Sequence, residues 1–195
     1  MRHGLTLQPT RTCEEAPGWV FFLAMLSFDI RSLTEHAVVV DDVLSPNDPV
    51  WEESDSRPSA PVRVRGRLSP AGPGRFYWHG SIEGDVALEC SRCLGDASAH
   101  VTDDTLLIFA EPGSDVVVDD PDVFLLDEGS DDLDLRPALR EQWLLNVPGY
   151  ALCREDCKGL CPTCGAELNL GPCDCASTAA DSRWDALRKL QREQG

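Results

Sequence analysis

The sequence predicts an α+β fold: an antiparallel β-meander or partly closed barrel, a helix, a Cys-rich C-terminal segment and a final amphipathic helix. Three observations predict it. Residues 61–68 and 75–88 alternate apolar and polar side chains with the period of two that a half-buried strand requires. Leu135, Leu139 and Trp143 recur every four residues, the stripe of one helix face. Six of the nine cysteines crowd between Cys153 and Cys175, a thiol density that a packed core does not need.

Taken in order, residues 1–24 fit no part of this pattern and are expected to be an extension ahead of a natural start at Met25, which leaves Cys13 without a role. The apolar run at 19–26 is about half of what a bilayer requires. Glu14 and Glu15 stand where a signal peptide is positive, and no Ala-x-Ala cleavage site follows. Residues 25–150 form the expected strand-rich core. It begins with a short strand and turn at 26–33 and a strand within 35–44 that holds Val38, Val39 and Val40. Ser, Pro and acidic residues mark 45–60 as a loop. In 61–68, Val62, Val64 and Leu68 face one way and Arg63, Arg65 and Arg67 the other. A Pro/Gly turn at 69–74 returns the chain antiparallel, with Ile82, Val86 and Leu88 opposite Ser81, Glu83 and Asp85.

The second of these strands delivers Cys90-Ser91-Arg92-Cys93, and 101–110 is a third alternating segment. The stretch 111–134 holds ten acids and no Lys or Arg, so it reads as a solvated loop to which 116–118 and 123–126 add short strands. The helix follows at about 134–147, with Asp134 as N-cap, Pro137 in the first turn, Leu144 and Val147 widening the apolar stripe, and Pro148-Gly149 as the stop. Residues 151–195 hold the Cys-rich segment and the closing helix at 181–194, with Trp184, Leu187 and Leu190 on one face.

The chain has 34 acidic residues against 17 Lys and Arg, a net charge of −17. That balance argues against indiscriminate nucleic-acid binding through the whole surface and leaves room for a local basic face. The Cys-x-x-Cys and Cys-x-Cys spacings are too close for ordinary disulfides and fit metal or thiol chemistry in a reducing compartment.

Eight cysteines remain after Cys13, enough for two tetrahedra of thiolate ligands, and short Cys pairs supply such ligands two at a time. Zinc, one or two ions, is the expected cofactor. One partition places Cys161, Cys164, Cys173 and Cys175 in a local site and Cys90, Cys93, Cys153 and Cys157 in a long-range one. A competing set is Cys153, Cys157, Cys161 and Cys164. Gly159 and Gly165 sit where the chain must bend around a metal, and Cys161-Pro162-Thr163-Cys164-Gly165 has the shape of a zinc knuckle. His36, His79 and His100 read as surface residues, since the sulfur count is sufficient. Arg92 is placed to donate to a thiolate sulfur or to offset the −2 charge of a four-cysteine zinc site.

Cys90-Ser91-Arg92-Cys93-Leu94, the pair Cys153 and Cys157, the run from Lys158 through Cys161, Cys164 and Gly165 to Asn169, Cys173-Asp174-Cys175 and the helix from Trp184 to Leu190 together resemble the bacterial YceD family of large ribosomal RNA subunit accumulation proteins. The resemblance covers roughly 27–190; the residues before it depart from the family pattern. It implies a cytoplasmic protein that supports the accumulation or processing of large-subunit ribosomal RNA, and it implies no catalytic residue.

The residues themselves add a link to RNA. Between Arg57 and Ile82 there are five Arg and no acid. Arg63, Arg65, Arg67 and Arg75, with Phe76, Tyr77 and Trp78, could contact phosphates and stack on unpaired bases; the competing reading pairs these arginines with acids and puts the aromatics in the core. No grouping of carboxylates, or of His with a nucleophile, supports hydrolysis. The expectation is therefore a non-enzymatic zinc-binding factor for ribosome biogenesis, partnered by ribosomal RNA or a large-subunit ribosomal protein, with no membrane contact. A thiol-redox or zinc-sensing protein and a protein-interaction adaptor without RNA contact are the alternatives.

Overall fold

A computed structural model describes residues 26–114 and 122–175. The expected N-terminal extension, the strand at 116–118 and the closing helix at 181–194 lie outside the described residues. Five strands form one sheet in the order β2 (Val38–Leu44), β3 (Val62–Pro70), β4 (Arg75–Glu89), β5 (Asp96–Ala110) and β6 (Val123–Leu125). Pairing is antiparallel from β2 to β5, which is a meander, and β6 joins β5 in parallel. The sheet stays open, with β2 and β6 at its edges, so the barrel alternative does not hold. A second, two-stranded sheet pairs β1 (Ser27–Asp29) with β7 (Asp132–Asp134). Among the described residues no helix is long and apolar enough to cross a membrane.

Alternation sorts the strands into two faces as their sequence requires. Val62, Val64 and Leu68 of β3 are buried, while Arg63, Arg65 and Arg67 between them point outward. On β4 the inward series runs Phe76, Trp78, Gly80, Ile82, Gly84, Val86. The glycines in that series make room for indoles. Gly66 and Gly80 face each other across β3 and β4, and a Cβ on either would come within 2.7 Å of the Trp78 ring. A Cβ on Gly84 would stand 3.1 Å from the ring of Trp143 and 3.2 Å from Val62.

Trp143 comes from helix α2 (Arg136–Asn146), which packs against β5 and buries Ala138, Leu139 and Trp143. Its indole N–H donates to Ser56 O at 2.8 Å, and Trp51 meets it edge-on with ring centres 6.3 Å apart. The 45–60 loop is thus irregular yet tightly held. Arg140 of α2 grips Asp55 of that loop through two hydrogen bonds of 2.7 and 2.9 Å.

Three local expectations need correction. The segment at 26–33 is a strand followed by a short helix, α1 (Ile30–Glu35), because the Asp29 carboxylate accepts the Ser32 N–H at 2.8 Å and caps it. Asp134 precedes the N-cap position, which Leu135 fills; its carboxylate still accepts the Arg136 N–H at 2.9 Å and pairs with the Arg136 guanidinium at 2.7 Å. The third alternating strand starts at Asp96, five residues before position 101. Cys90 to Gly95 is therefore the turn of a long β4–β5 hairpin. The acidic stretch contributes β6, which falls within the expected 123–126, and β7, whose three residues carry too little pattern to be read.

Candidate metal centre

The eight cysteines of the described residues gather into two groups of four: Cys90, Cys93, Cys153 and Cys157, and Cys161, Cys164, Cys173 and Cys175. In each group the sulfur atoms all lie within 4.8 Å of one another. The competing set of Cys153, Cys157, Cys161 and Cys164 is not brought together. In the first group, here the hairpin cage, the β4–β5 turn supplies one pair and the chain beyond α2 the other. The turn meets that chain because Ser91 N donates to Ala151 O at 2.8 Å and Ala151 N to Ser91 Oγ at 3.3 Å. The second group, the loop cage, is local.

Both cages start from the same turn. Leu94 N donates to Cys90 O at 2.9 Å, and Gly165 N to Cys161 O at 2.8 Å. Cys90 N donates to Gly95 O at 2.7 Å, and Cys161 N to Ala166 O at 2.8 Å. The residue after the second cysteine has positive φ in each: +73° at Gly165 and +58° at Leu94. The knuckle read at Cys161 to Gly165 is thus repeated at the hairpin, where leucine stands in glycine's place.

The donor sets fit a metal ion that prefers sulfur. A tetrahedron of sulfurs about 2.3 Å from a central zinc has edges of about 3.8 Å. The hairpin cage has Cys90 Sγ to Cys157 Sγ at 3.8 Å and Cys93 Sγ to Cys153 Sγ at 3.7 Å. Backbone N–H groups aimed at sulfur favour thiolates. The N–H of Cys153, with those of Cys93 and Arg92, pulls the Cys90 thiol down to about 6 against its burial. The N–H groups of Cys164 and Thr163 bring Cys161 to about 6. The other extreme stands beside each of these. Desolvation by the neighbouring sulfurs and backbone, and then the Cys157 thiol, push the otherwise exposed Cys153 up to about 12, and the Cys164 thiol followed by burial does the same to Cys175. Four crowded sulfurs do not all ionise without a cation between them.

Residues around the cages hold the cysteines in place. Of the two roles expected of Arg92, donation to sulfur is not seen, whereas its charge does act on Cys157 and Cys90; its Nη1 donates to Cys157 O at 2.9 Å and its Nε to Tyr150 Oη at 3.3 Å, clamping the two cysteine-bearing segments together. Arg92 O accepts from Leu160 N at 3.0 Å. Gly159 is fixed by that approach as well as by its φ of +74°, since a Cβ there would stand 2.8 Å from Arg92 O. Asn169 donates from Nδ2 to Cys157 Sγ at 3.3 Å and is the main reason the Cys157 thiol lies below its usual range. Sequence reasoning gave no role to Asn169 or Tyr150; no spacing rule marks a residue that serves a ligand 12 positions away.

The arginine stripe lies on the open face of the sheet. Arg63 and Arg65 share one carboxylate, Asp41, at 3.3 and 3.4 Å, and Arg67 Nε donates to Ser69 Oγ at 3.3 Å. Arg75 folds over the turn, its Nη2 2.7 Å from where a Cβ on Gly72 would stand. Phe76 and Trp78 are buried in the core, and Tyr77 is partly exposed. His100 sits between Asp85 at 2.9 Å and Glu83 at 3.6 Å, and His36 lies 4.0 Å from Glu35. No histidine belongs to either sulfur group among the described residues.

A family profile described as large ribosomal RNA subunit accumulation protein YceD matches residues 78–191. The uncharacterized protein YlbN of Bacillus subtilis is 27% identical over 167 residues, which are 85% of this chain and 95% of that protein. An uncharacterized protein of Mycobacterium tuberculosis is 32% identical over 114 residues, 57% of this chain and 53% of that protein. The large ribosomal RNA subunit accumulation protein YCED homolog 1, chloroplastic, of Arabidopsis thaliana is 29% identical over 145 residues, 58% of this chain and 44% of that protein. The chain thus spans about half the length of these last two relatives. No solved structure matches it.

Proposed function

This chain belongs to the YceD family, and from that premise we propose that it is a non-enzymatic zinc-binding factor that supports accumulation, processing or assembly of large-subunit ribosomal RNA in the cytoplasm. The observation that carries the reading is that the family match, residues 78–191, encloses both four-sulfur groups. Zinc held by four thiolates has no open position for a substrate water, so its role is to hold shape. The residues of the two cages would hold the ions, and a bound ion supplies only cross-linking. The chain's own residues do the rest: Arg92 and Asn169 orient ligands, and the open sheet face offers charge.

That face suits RNA. Two guanidiniums, Arg63 and Arg65, share the single Asp41 carboxylate, and both side chains are about half exposed, at 48% and 51%. Arg67 is next along the strand, and Glu83 stands opposite Arg63 in the β3–β4 register, so three guanidiniums meet two carboxylates along this stripe. A large-subunit ribosomal protein is the alternative partner within the same reading.

The test is depletion of the protein from its host, with large- and small-subunit ribosomal RNA measured separately. Selective loss of the large-subunit RNA is expected, rescued by the native chain and not by Cys90→Ser/Cys93→Ser. Purified protein should carry tightly held zinc and thiols that react slowly with thiol reagents; fast-reacting thiols without metal would favour a redox protein. Crosslinking in cells followed by sequencing should recover ribosomal RNA. Arg63→Ser/Arg65→Ser/Arg67→Ser should weaken RNA association and flatten its salt dependence by about 0.7 log unit per lost phosphate contact. An unchanged RNA profile in that variant would point to the ribosomal-protein partner.

A further inference from the structure

Three residues separate Cys157, the last ligand of the hairpin cage, from Cys161, the first of the loop cage. That short linker is held from both sides. Leu160 N donates to Arg92 O at 3.0 Å, on the side of the hairpin cage. On the other side Leu168 N donates to Gly159 O at 2.9 Å, and Leu160 forms an antiparallel bridge with Glu167. Glu167 and Leu168 belong to the loop between Cys164 and Cys173, so both ends of that loop are tethered by ligands of the loop cage.

Asn169 stands in the same loop, yet its side chain serves the other cage. Its Oδ1 accepts from Lys158 N at 2.8 Å and from Arg154 Nη2 at 2.8 Å. Both partners are donors only, so the amide has one orientation and Nδ2 must face the acceptors. Those acceptors are Cys157 Sγ at 3.3 Å and Glu167 Oε1 at 3.4 Å. An N–H donated to a ligating sulfur offsets part of its negative charge and fixes its direction, and removing such a group typically lowers metal affinity about 10- to 100-fold.

We propose that Asn169 couples the two cages, so that a metal ion held in the loop cage raises the affinity of the hairpin cage for its own. This rests on the reading of both groups as metal sites. When the loop cage is empty its loop is closed only by backbone hydrogen bonds, and setting Asn169 against Cys157 then requires ordering the segment first. When it is filled that ordering is already done. By linkage the effect is reciprocal: an ion in the hairpin cage tightens the loop cage by the same factor.

The experiment uses the full chain, stripped of metal under reducing conditions and titrated with Co2+ against a competing chelator, with thiolate-to-cobalt absorption counting filled cages. Cys173→Ser/Cys175→Ser leaves only the hairpin cage, and Cys93→Ser/Cys153→Ser leaves only the loop cage; together they assign each step. Hairpin-cage affinity should fall about 10- to 100-fold in Cys173→Ser/Cys175→Ser and by a similar factor in Asn169→Ala. Combining the two should weaken it no further. Asn169→Asp, which keeps the acceptor and replaces the donor with an oxygen facing sulfur, should lose at least as much as Asn169→Ala. Equal hairpin-cage affinity with and without the loop cage overturns the proposal, as do losses that simply add. Should the cysteine variants fail to fold, Asn169→Ala retains all eight cage thiols, and an unchanged hairpin-cage affinity there overturns it alone. If neither cage takes Co2+ or Zn2+, the metal reading itself falls; two filled cages without coupling sink only the coupling.

Discussion

Leu94 shows how a ligand turn constrains a single residue. It holds φ at +58° and exposes 64% of its surface, so its side chain contributes little packing to offset a left-handed backbone. That conformation costs an L-residue about 1–2 kcal/mol, whereas glycine adopts it freely at the expense of about 0.5–1 kcal/mol of unfolded-chain entropy. Leu94→Gly in metal-loaded protein should therefore stabilise by about 0.5–1 kcal/mol and raise Tm by about 2 °C. The mirror change, Gly165→Leu, should lower Tm by a similar amount, because it adds to one turn the strain that Leu94→Gly removes from the other. Thermal melts at fixed metal concentration check both, and a lower Tm for Leu94→Gly would show that the leucine side chain holds the turn. At this scale the sequence was only half legible. The cysteines and Gly165 announce a knuckle through their spacing. The glycine that would mark its twin is replaced by leucine, and the partners of Arg92 and Asn169 are set by tertiary approach, which no local pattern encodes.

The elements follow their periodicities closely where those are long. The stripe of Leu135, Leu139 and Trp143 marks α2, and alternation marks β3 and β4, because one face of each must be buried and the other wetted. Short elements such as α1 and β7 escaped, since three to six residues carry little period and a cap or a cross-pairing decides them. What periodicity cannot give is how faces mesh, and Gly84 is the example. It looks like a weak point in a strand, yet it is the seat of Trp143: a Cβ would stand 3.1 Å from the six-membered ring and 3.2 Å from Val62. Gly84→Ala should push the indole outward and strain its 2.8 Å bond to Ser56 O, at an expected cost of about 1–3 kcal/mol in chemical denaturation. Trp143→Phe removes the part of the ring that clashes, so the double variant should lose less than the two single losses combined. Strict additivity would mean that the sheet, and not α2, yields at this contact.

At the scale of the molecule, the sulfur cages and the apolar core are separate devices. The core cluster joins β2 to β5 with α1, α2 and Trp51, and none of its residues is a cysteine. The hairpin cage instead ties the β4–β5 turn to chain 60 residues further on, after α2 has crossed the sheet. Which cysteines would share a cage was left open by spacing alone; it is decided by the length of the hairpin, which carries Cys90 to Ala151. This division predicts what metal removal does. Structural zinc contributes on the order of 10–16 kcal/mol of apparent folding free energy to domains that have little else. Here a sheet with its own core remains, so a strong chelator should not unfold the whole chain. Hydrogen exchange should show protection lost first at 90–95 and 151–175, while amides of β3 and of β4 up to Val86 stay protected, and Tm should fall. Cys93→Ser should reproduce the loss at 90–95 and 151–157 and spare 161–175, because only the hairpin cage is then left open. Cys175→Ser should loosen 161–175 first. If the chelator leaves Tm and exchange unchanged, the cages hold no structural metal; if it melts β3 and β4 together with the cages, the core depends on the metal after all and the two devices are one.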